Sequence, residues 1–347
     1  MKIIFMGTPD FAVHTLDALM EAGCEVSLVV TQPDRRKGRS REPQKPPVKL
    51  CAEKWGIPVF QPERVRRPEV SERLRQEGAD LIVVAAFGQI LSQEILDMPA
   101  HGAVNVHASL LPKYRGAAPI QWAVINGEKE SGVTIMQMDA GLDTGDILLQ
   151  RAVPLEEGET AESLYDKLAV LGGELLVEAL PQIEAGTLSP AAQDPAAMSY
   201  AKMLHKEMGN IDWNSSAQRI ERLVRGLRPW PCAFTSFRGK ELKLWRAECA
   251  GGRAQGAPGT VLSAERDRLL VNTGEGVLAL TELQMEGKKR LPAREFLLGC
   301  QVGPGEKLGD AGGQDEHMVA DARTTILAFI SPELHRSHPF FPIYSEA

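Results

Sequence analysis

The chain has 347 residues, of which 43% are hydrophobic and 24% charged, and its net charge is −7. This composition is typical of globular proteins and excludes a disordered chain, while the length suits two domains of about 100–200 residues each. No apolar stretch approaches the roughly 20 residues of a membrane helix, and the short apolar run at the N-terminus is not a signal peptide. We therefore expect a cytoplasmic protein with no membrane partner. Five scattered cysteines without a CxxC pair indicate reduced thiols, with no disulfide framework and no metal site.

The first part of the chain alternates between short apolar runs and amphipathic stretches. We predict strands over 2–6, 25–31, 56–60 and 79–86, with a helix after Asp10. Such alternation is typical of an α/β protein with a doubly wound, mostly parallel, Rossmann-like sheet, whose ligands bind beyond the carboxyl ends of the strands. Gly7–Ala12 lies where a dinucleotide fingerprint would lie but lacks its glycines, which disfavours NAD.

A basic loop follows the second predicted strand. Residues 33–47 contain six basic and two acidic side chains together with several prolines. Proline and glycine make the segment a loop that is too polar to pack in a core. Two interpretations stay open, an ordinary solvated surface loop and a loop that contacts phosphates.

The polar residues that could carry chemistry lie in two segments. Asn105 and His107 are two residues apart on a predicted strand, so their side chains share a face. A second strand over 132–138 leads into an Asp/Gly loop that contains Asp143. An Asn that donates to an oxyanion, a His that handles protons and an Asp that orients it would serve acyl transfer. From the spacing alone, a structural Asn–X–His pair and an ordinary turn remain the alternative.

The later part of the chain has a different pattern and charge. We expect domain boundaries at 1–189, a linker over 190–206, a second domain over 207–310 and an extension over 311–347 whose role the sequence does not indicate. Residues 206–310 carry a net charge of +4, against −8 for 1–205 and −3 for 311–347. The second domain reads as an amphipathic helix, a set of short strands and a closing helix, over 215–227, 233–237, 241–247, 259–262, 269–272, 276–282 and 292–298. Five short strands in about 50 residues suit a small OB-like β-barrel.

Several motifs together resemble the methionyl-tRNA formyltransferase family, a branch of the folate-dependent formyltransferases. They are Met6–Ala12, Thr31–Arg35, Asn105–Pro112, Arg115–Gln121 and Gly132–Asp146, and the resemblance extends from residue 2 to about residue 309. It implies an enzyme that transfers the formyl group of 10-formyltetrahydrofolate to the α-amino group of methionine on initiator tRNA, for translation initiation. It also implies that Asn105, His107 and Asp143 are catalytic.

The resemblance carries further residues as expectations. The folate-binding segment would be Ser109, Leu110, Leu111 and Pro112, and the pterin pocket would be lined by Ala86, Phe87, Ile90, Leu91, Asp139, Ala140, Gly141 and Leu142. The basic loop would contact tRNA, with Arg39 the most important of its residues. Apart from the resemblance, residues 288–290 form a basic cluster, which is either ordinary solvated surface or part of a track for a polyanion backbone. The expected tRNA contacts are Arg35, Arg36, Lys37, Arg39, Arg41, Lys45, Lys288, Lys289 and Arg290. We expect a monomer.

Two rival functions remain. The first is a sister formyltransferase that acts on a nucleotide sugar or another small amine, which the basic loop and the positive second domain disfavour. The second is a tRNA-binding or chaperone-like module that has lost catalysis, which the presence of Asn105, His107 and Asp143 disfavours.

Overall fold

The computed structural model describes residues 1–36 and 42–309, which form two compact units. One unit comprises residues 1–205 together with 225–231, and the other comprises 206–224 together with 232–309. The predicted extension over 311–347 lies outside the described residues. The predicted domain boundaries stay predictions.

The described elements of the first unit alternate between strands and helices, as the sequence predicts. In chain order they are β1 (Lys2–Gly7), α1 (Asp10–Glu21), β2 (Glu25–Val30), β3 (Arg35–Arg36), β4 (Pro43–Gln44), α2 (Pro47–Trp55), β5 (Val59–Phe60), α3 (Pro68–Glu77), β6 (Leu81–Ala85), α4 (Gln93–Leu96), β7 (Ala103–His107), β8 (Arg115–Gly116), α5 (Pro119–Asn126), β9 (Glu130–Gln137), β10 (Ile147–Pro154), α6 (Ala161–Ala185) and β11 (Tyr200–Ala201).

Seven of these strands form one sheet, in the order β10-β9-β7-β6-β1-β2-β5. The five strands from β7 to β5 are parallel to one another. β9 and β10 add to the β7 edge in the antiparallel sense. The predicted doubly wound, mostly parallel sheet is confirmed.

Both faces of this sheet are buried, because successive side chains on a strand point to opposite faces. On β1, Ile3 and Phe5 belong to one hydrophobic core cluster, whereas Ile4 and Met6 belong to another. β6 divides its side chains between the same two clusters in the same way. The uninterrupted apolar runs in the sequence are therefore central strands covered on both sides.

The segment predicted as a linker lies against the first unit. β11 pairs with β8 in the parallel sense, and Ala191 forms a bridge with Ile147 at the start of β10. A short 3-10 turn spans Pro195–Ala197 between these contacts. These residues therefore take part in the structure around the end of β9.

The second unit contains an antiparallel sheet. Its elements follow a short 3-10 turn at Lys206–Gly209 and are α7 (Ala217–Gly226, whose last two residues belong to the first unit), β12 (Ala233–Phe237), β13 (Lys240–Cys249), β14 (Val261–Ala264), β15 (Leu269–Asn272), β16 (Val277–Met285), β17 (Leu291–Pro292) and α8 (Ala293–Gly299). The strand order is β12-β13-β16-β15-β14, with β17 paired to β16. All five predicted strands are present. β12 and β14 are not paired with each other within 206–309, so the sheet does not close into a barrel there.

Candidate active site

A pocket opens in the first unit where β6 and β7 end, beside the loop that follows β9. Its cavity volume is about 130 Å³. Asn105, His107 and Asp143 all line it. The structure thus brings the three predicted catalytic residues together at the edge of the sheet where ligands are expected.

Asn105 lies in the middle of the sheet. Its backbone is in register with Val84 of β6 on one side and Met136 of β9 on the other. Its side chain is half-buried and lines the pocket. Within the described residues, its side-chain amide forms no hydrogen bond. The amide is therefore held in place through the strand while its N–H groups stay available to a substrate.

His107 is buried, with 6% of its surface exposed, and one of its ring nitrogens already has a hydrogen-bond partner in the protein. Its Nε2 lies 3.0 Å from the backbone carbonyl oxygen of Tyr114. A carbonyl can only accept, so Nε2 carries hydrogen and donates. Nδ1 lies 3.8 Å from Oδ1 of Asp143, which is too far for a hydrogen bond. Nδ1 is therefore the ring nitrogen that can take up and release a proton, beside a carboxylate that would stabilise the resulting positive charge.

Asp143 is held in an unusual backbone conformation on the loop between β9 and β10. Its φ is +52°, in the left-handed region that costs energy for a residue with a side chain. Its Oδ2 accepts a hydrogen bond of 2.8 Å from the backbone N–H of Gly116. The loop also needs Gly145, because a Cβ there would lie 1.7 Å from the carbonyl oxygen of Gln137. The Asp/Gly pattern of the sequence reflects this close approach.

Two buried side chains, those of Gln193 and Arg115, support the Asp143 loop. Gln193 donates from Nε2 to the carbonyl oxygens of Asp143 and Gly145, at 2.9 and 2.7 Å. Arg115 donates from Nε and Nη2 to Oε1 of Gln193, at 3.0 and 2.8 Å. Sequence reasoning missed this role of both residues. Gln193 lies in the segment predicted as a linker, where no local pattern marks it.

Seven of the eight residues predicted for the pterin site form part of the wall of this pocket, and their contact with a pterin stays a prediction. The predicted residues that line the pocket are Ala86, Phe87, Ile90, Leu91, Asp139, Gly141 and Leu142, whereas Ala140 is not among the lining residues. Phe87 and Leu91 are buried, while Ile90 and Leu142 are 51% and 40% exposed. Asp139 is held by hydrogen bonds from the Gly141 N–H and the Thr144 hydroxyl. This wall offers apolar surface with a carboxylate at its edge.

The predicted folate segment Ser109–Pro112 does not line this pocket. The Thr134 hydroxyl donates to the Ser109 carbonyl at 2.6 Å and accepts from the Leu111 N–H at 3.2 Å. Gln150 donates to the Leu111 carbonyl at 2.8 Å. In the structure this segment is bound to β9 and β10 next to the catalytic strand, and its contact with folate stays a prediction.

Sequence reasoning assigned no role to four further residues of the pocket. Phe11, Ile120, Gln121 and Tyr165 line it. The Phe11 N–H donates to the Tyr165 hydroxyl at 2.6 Å, and the two rings meet edge to face. Burial raises the pKa of the Tyr165 phenol, so it is a neutral hydroxyl at pH 7. Gln121 is only 3% exposed. Phe11, Ile120 and Gln121 lie in motifs that resemble the family, but a motif does not indicate which of its side chains reach the pocket.

The described ends of the basic loop form a two-residue ladder. β3, which consists of Arg35 and Arg36, pairs with β4 in the antiparallel sense, and both arginines are exposed. Lys45 is exposed and forms an ion pair of 2.8 Å with Glu53. The remaining predicted contacts of this loop, at Lys37, Arg39 and Arg41, lie outside the described residues.

Asp34 lies at the start of the same loop. Gln61 and Lys49 hydrogen-bond to its carboxylate, at 2.7 and 2.8 Å. These bonds, that of Gln61 first, hold the pKa of Asp34 below its usual value. Lys49 is therefore engaged with Asp34, which ties the base of the loop to α2.

The three residues of the predicted basic cluster in the second unit differ in their contacts. Lys288 and Lys289 are exposed, and neither forms an ion pair within the described part of the chain. Arg290 instead donates to Glu282 at 2.7 Å, and its guanidinium lies 4.4 Å from the centre of the Trp245 ring. The two lysines are available to an anionic partner, whereas Arg290 also has structural contacts.

Two further properties concern the described residues only. None of their helices has the length and hydrophobicity needed to cross a membrane. Over the same residues, no group of three or more His, Cys, Asp and Glu side chains is placed to hold a metal ion.

Comparison with known proteins gives matches over most of the chain. Residues 1–180 match the formyl transferase family model, and residues 203–301 match the model of the formyl transferase C-terminal domain. A methionyl-tRNA formyltransferase of Geobacter metallireducens is 53% identical over 309 residues, which cover 89% of this chain and 99% of that protein. The methionyl-tRNA formyltransferase of Geobacter sulfurreducens is 52% identical over 312 residues, 90% of this chain and 98% of that protein.

Solved structures show the same fold at much lower identity. HypX from Aquifex aeolicus, in complex with tetrahydrofolic acid, matches with a TM-score of 0.58 and 21% identity over 85% of this chain, which spans only 46% of HypX. The sugar 3N-formyltransferase WlaRD matches with a TM-score of 0.60 and 19% identity over 83% of this chain and 99% of WlaRD. At this identity the likeness concerns the fold alone.

Proposed function

The chain belongs to the methionyl-tRNA formyltransferase family, and on that basis we propose that Asn105, His107 and Asp143 perform its formyl transfer. The enzyme transfers the formyl group of 10-formyltetrahydrofolate to the α-amino group of methionine on initiator tRNA. The observation that carries the residue assignment is the half-buried, unbonded Asn105 amide beside His107 in one pocket.

The pocket residues fit a folate. A pterin is a flat heteroaromatic ring with hydrogen-bonding edges, which needs apolar faces and a few polar groups. Phe87, Leu91 and Leu142 supply apolar surface, and the carboxylate of Asp139 lies at the edge of the same wall. We therefore assign this wall to the formyl donor.

Asn105 would stabilise the charge that develops during transfer. When the neutral amine attacks the formyl carbon, negative charge builds on the formyl oxygen, and a preorganised amide N–H can donate to it. Asn105 is fixed through a central strand, so little reorganisation is needed at the moment of reaction.

His107 would move the proton. Its Nδ1 takes the proton from the attacking nitrogen and gives it to the departing folate nitrogen, which is a poor leaving group until it is protonated. Because Nε2 donates to the Tyr114 carbonyl, the ring keeps one orientation while Nδ1 gains and loses the proton. Asp143, 3.8 Å from Nδ1, stabilises the transient imidazolium.

For the tRNA we propose contacts on both units. The basic loop supplies Arg35, Arg36 and Lys45 among the described residues, and we keep Lys37, Arg39 and Arg41 in the proposal. In the second unit the proposed tRNA contacts are Lys288, Lys289 and Arg290. Residues 206–310 have a net charge of +4. We keep the OB-like description of this unit, whose strands form a single antiparallel sheet.

We further propose that the protein works in the cytoplasm as a monomer. Reduced thiols are expected from the scattered cysteines. Light scattering of the purified chain measures the oligomeric state, and a dimer mass would refute that part of the proposal.

The test of function is one assay. The protein is incubated with methionyl initiator tRNA and 10-formyltetrahydrofolate, and the amino acid released from the tRNA is analysed for formyl-methionine. Parallel reactions contain an amino sugar nucleotide instead of the tRNA. Formylation of the tRNA supports the proposal. Formylation of the amino sugar alone, or of neither acceptor, would refute it.

A further inference from the structure

The pocket contains a second side-chain amide without a hydrogen-bond partner among the described residues, in addition to that of Asn105. Gln121 lies on α5, is 3% exposed and lines the pocket. Among residues 1–36 and 42–309, nothing forms a hydrogen bond with its side chain. Its amide is not among the fully buried side-chain groups without a partner, so its polar atoms keep access to the pocket. Because this amide faces a pocket, a bound substrate can supply the missing partners.

Gln89 is another glutamine of the same pocket, but its amide has hydrogen-bond partners within the protein. It also lines the pocket. Its Oε1, however, accepts from the Val65 N–H at 2.7 Å, and its Nε2 lies 3.5 Å from the Pro62 carbonyl oxygen. Both ends of that amide are therefore committed to the fold, whereas both ends of the Gln121 amide are open.

The surroundings of Gln121 place it on the acceptor side of the reaction. The donor is assigned to the wall formed by the residues after β6 and the Asp139 loop. Gln121 lies on α5 next to Ile120, which belongs with Phe11 and Tyr165 to one hydrophobic core cluster, whereas Phe87 and Leu91 of the donor wall belong to the other. In acyl transfer the incoming amine and the leaving group are separate substituents of one tetrahedral carbon, so the acceptor must approach from space that the donor does not fill.

We propose that Gln121 positions the aminoacyl ester of the acceptor tRNA, an inference that rests on the proposed function. An aminoacyl ester has an α-amino donor and an ester carbonyl acceptor on neighbouring carbons. A primary amide has the complementary pair, with Oε1 to accept from the amine and Nε2 to donate to the carbonyl. One side chain thus binds the feature that distinguishes charged from uncharged tRNA, whatever the amino-acid side chain.

The neutrality of Gln121 also suits the chemistry. The α-amine attacks only in its unprotonated form. A carboxylate at position 121 would stabilise the ammonium form through a charge-assisted hydrogen bond. The phenol of Tyr165 nearby is neutral as well. An amide orients the amine without trapping its proton.

The test compares charged and uncharged tRNA in the presence of tetrahydrofolate, which carries no formyl group and permits no turnover. Gln121→Met keeps the volume and removes both hydrogen bonds. It should weaken binding of methionyl-tRNA about tenfold to a hundredfold, the scale of one or two buried hydrogen bonds. Binding of uncharged initiator tRNA and of tetrahydrofolate should not change. Formylation by the wild-type chain tests the proposed function separately.

Two further variants sharpen the result. Gln121→Glu keeps the shape, and its formylation rate at neutral pH should fall because it favours the ammonium form. Gln89→Met should not lower binding of charged tRNA selectively. The inference is overturned if Gln121→Met binds charged tRNA like the wild type, if it weakens charged and uncharged tRNA equally, or if Gln121→Glu reacts at the wild-type rate.

Discussion

The pocket of the first unit and the basic cluster of the second unit are organised in opposite ways. In the pocket, the backbone and buried side chains fix the catalytic groups: His107 is held by a carbonyl, and Asp143 by an N–H and by Gln193. In the basic cluster, Lys288 and Lys289 are exposed. Preorganisation makes each pocket residue matter individually, whereas exposed cations act through their summed charge and are screened by salt.

The difference predicts how mutations should behave. A change in the pocket should lower the rate sharply and depend little on ionic strength. A change among the exposed cations should lower tRNA affinity modestly and alter its dependence on salt. The following substitutions test these expectations, from the largest expected effect to the smallest.

Asn105→Ala should have the largest effect. Loss of one oxyanion donor typically lowers turnover about 10²–10³-fold. Because the Asn105 amide forms no hydrogen bond in the described part of the fold, its loss should leave stability almost unchanged. Single-turnover formylation and titration with tetrahydrofolate measure the two effects. Near-normal turnover, or a loss of folate binding that matches the loss of rate, would contradict the assignment.

Gln193→Met should affect stability as well as rate. The substitution removes the acceptor of two Arg115 N–H groups and the donor to the Asp143 and Gly145 carbonyls. Buried groups left unpaired cost about 1–3 kcal/mol in the free energy of unfolding. Urea denaturation measures this loss, and the rate should fall with it because the Asp143 loop is released. Gln76→Met, at an exposed helix position, is the control and should change neither quantity.

The two regions also differ in how far the sequence predicts them. Asn105 and His107 were found because alternation along a strand is a local pattern, and the structure places both at the pocket. The five apolar runs of the second unit predicted its strands for the same reason. Gln193 and Gln121 were not found because their roles depend on contacts with segments distant in sequence. The two-residue strand β17 is too short to produce any pattern.

Closure of the second sheet shows the same limit. Short strands with turns between them fit a barrel and an open antiparallel sheet equally well. Which of the two forms depends on whether β12 and β14 meet, and within 206–309 they are not paired. Edge pairing is a long-range contact, so no local pattern in the sequence indicates it.

Arg39→Ala tests the basic loop. We expect tRNA binding about tenfold weaker, the scale of one charge-assisted hydrogen bond to phosphate, with folate binding unchanged. Filter binding at several salt concentrations measures the affinity for tRNA. Arg64→Ala, an exposed arginine outside the loop, is the matched control. Wild-type tRNA binding by Arg39→Ala, or a loss no larger than that of Arg64→Ala, would refute the tRNA role, whereas an equal loss of folate binding would indicate misfolding.

Lys288→Ala and Lys289→Ala should have the smallest effects. Each should lower tRNA affinity slightly and reduce the slope of log affinity against log salt by about 1, since one phosphate contact is lost. Neither should change the thermal midpoint, because neither lysine forms an ion pair within the described residues.

Arg290→Ala provides the internal contrast. It removes contacts with Glu282 and Trp245, which contribute about 0.5–1 kcal/mol to the free energy of unfolding at an exposed site. If the lysine variants keep the full salt slope while Arg290→Ala reduces it, the anion-binding role belongs to Arg290, and exposure does not identify the tRNA contacts of the second unit.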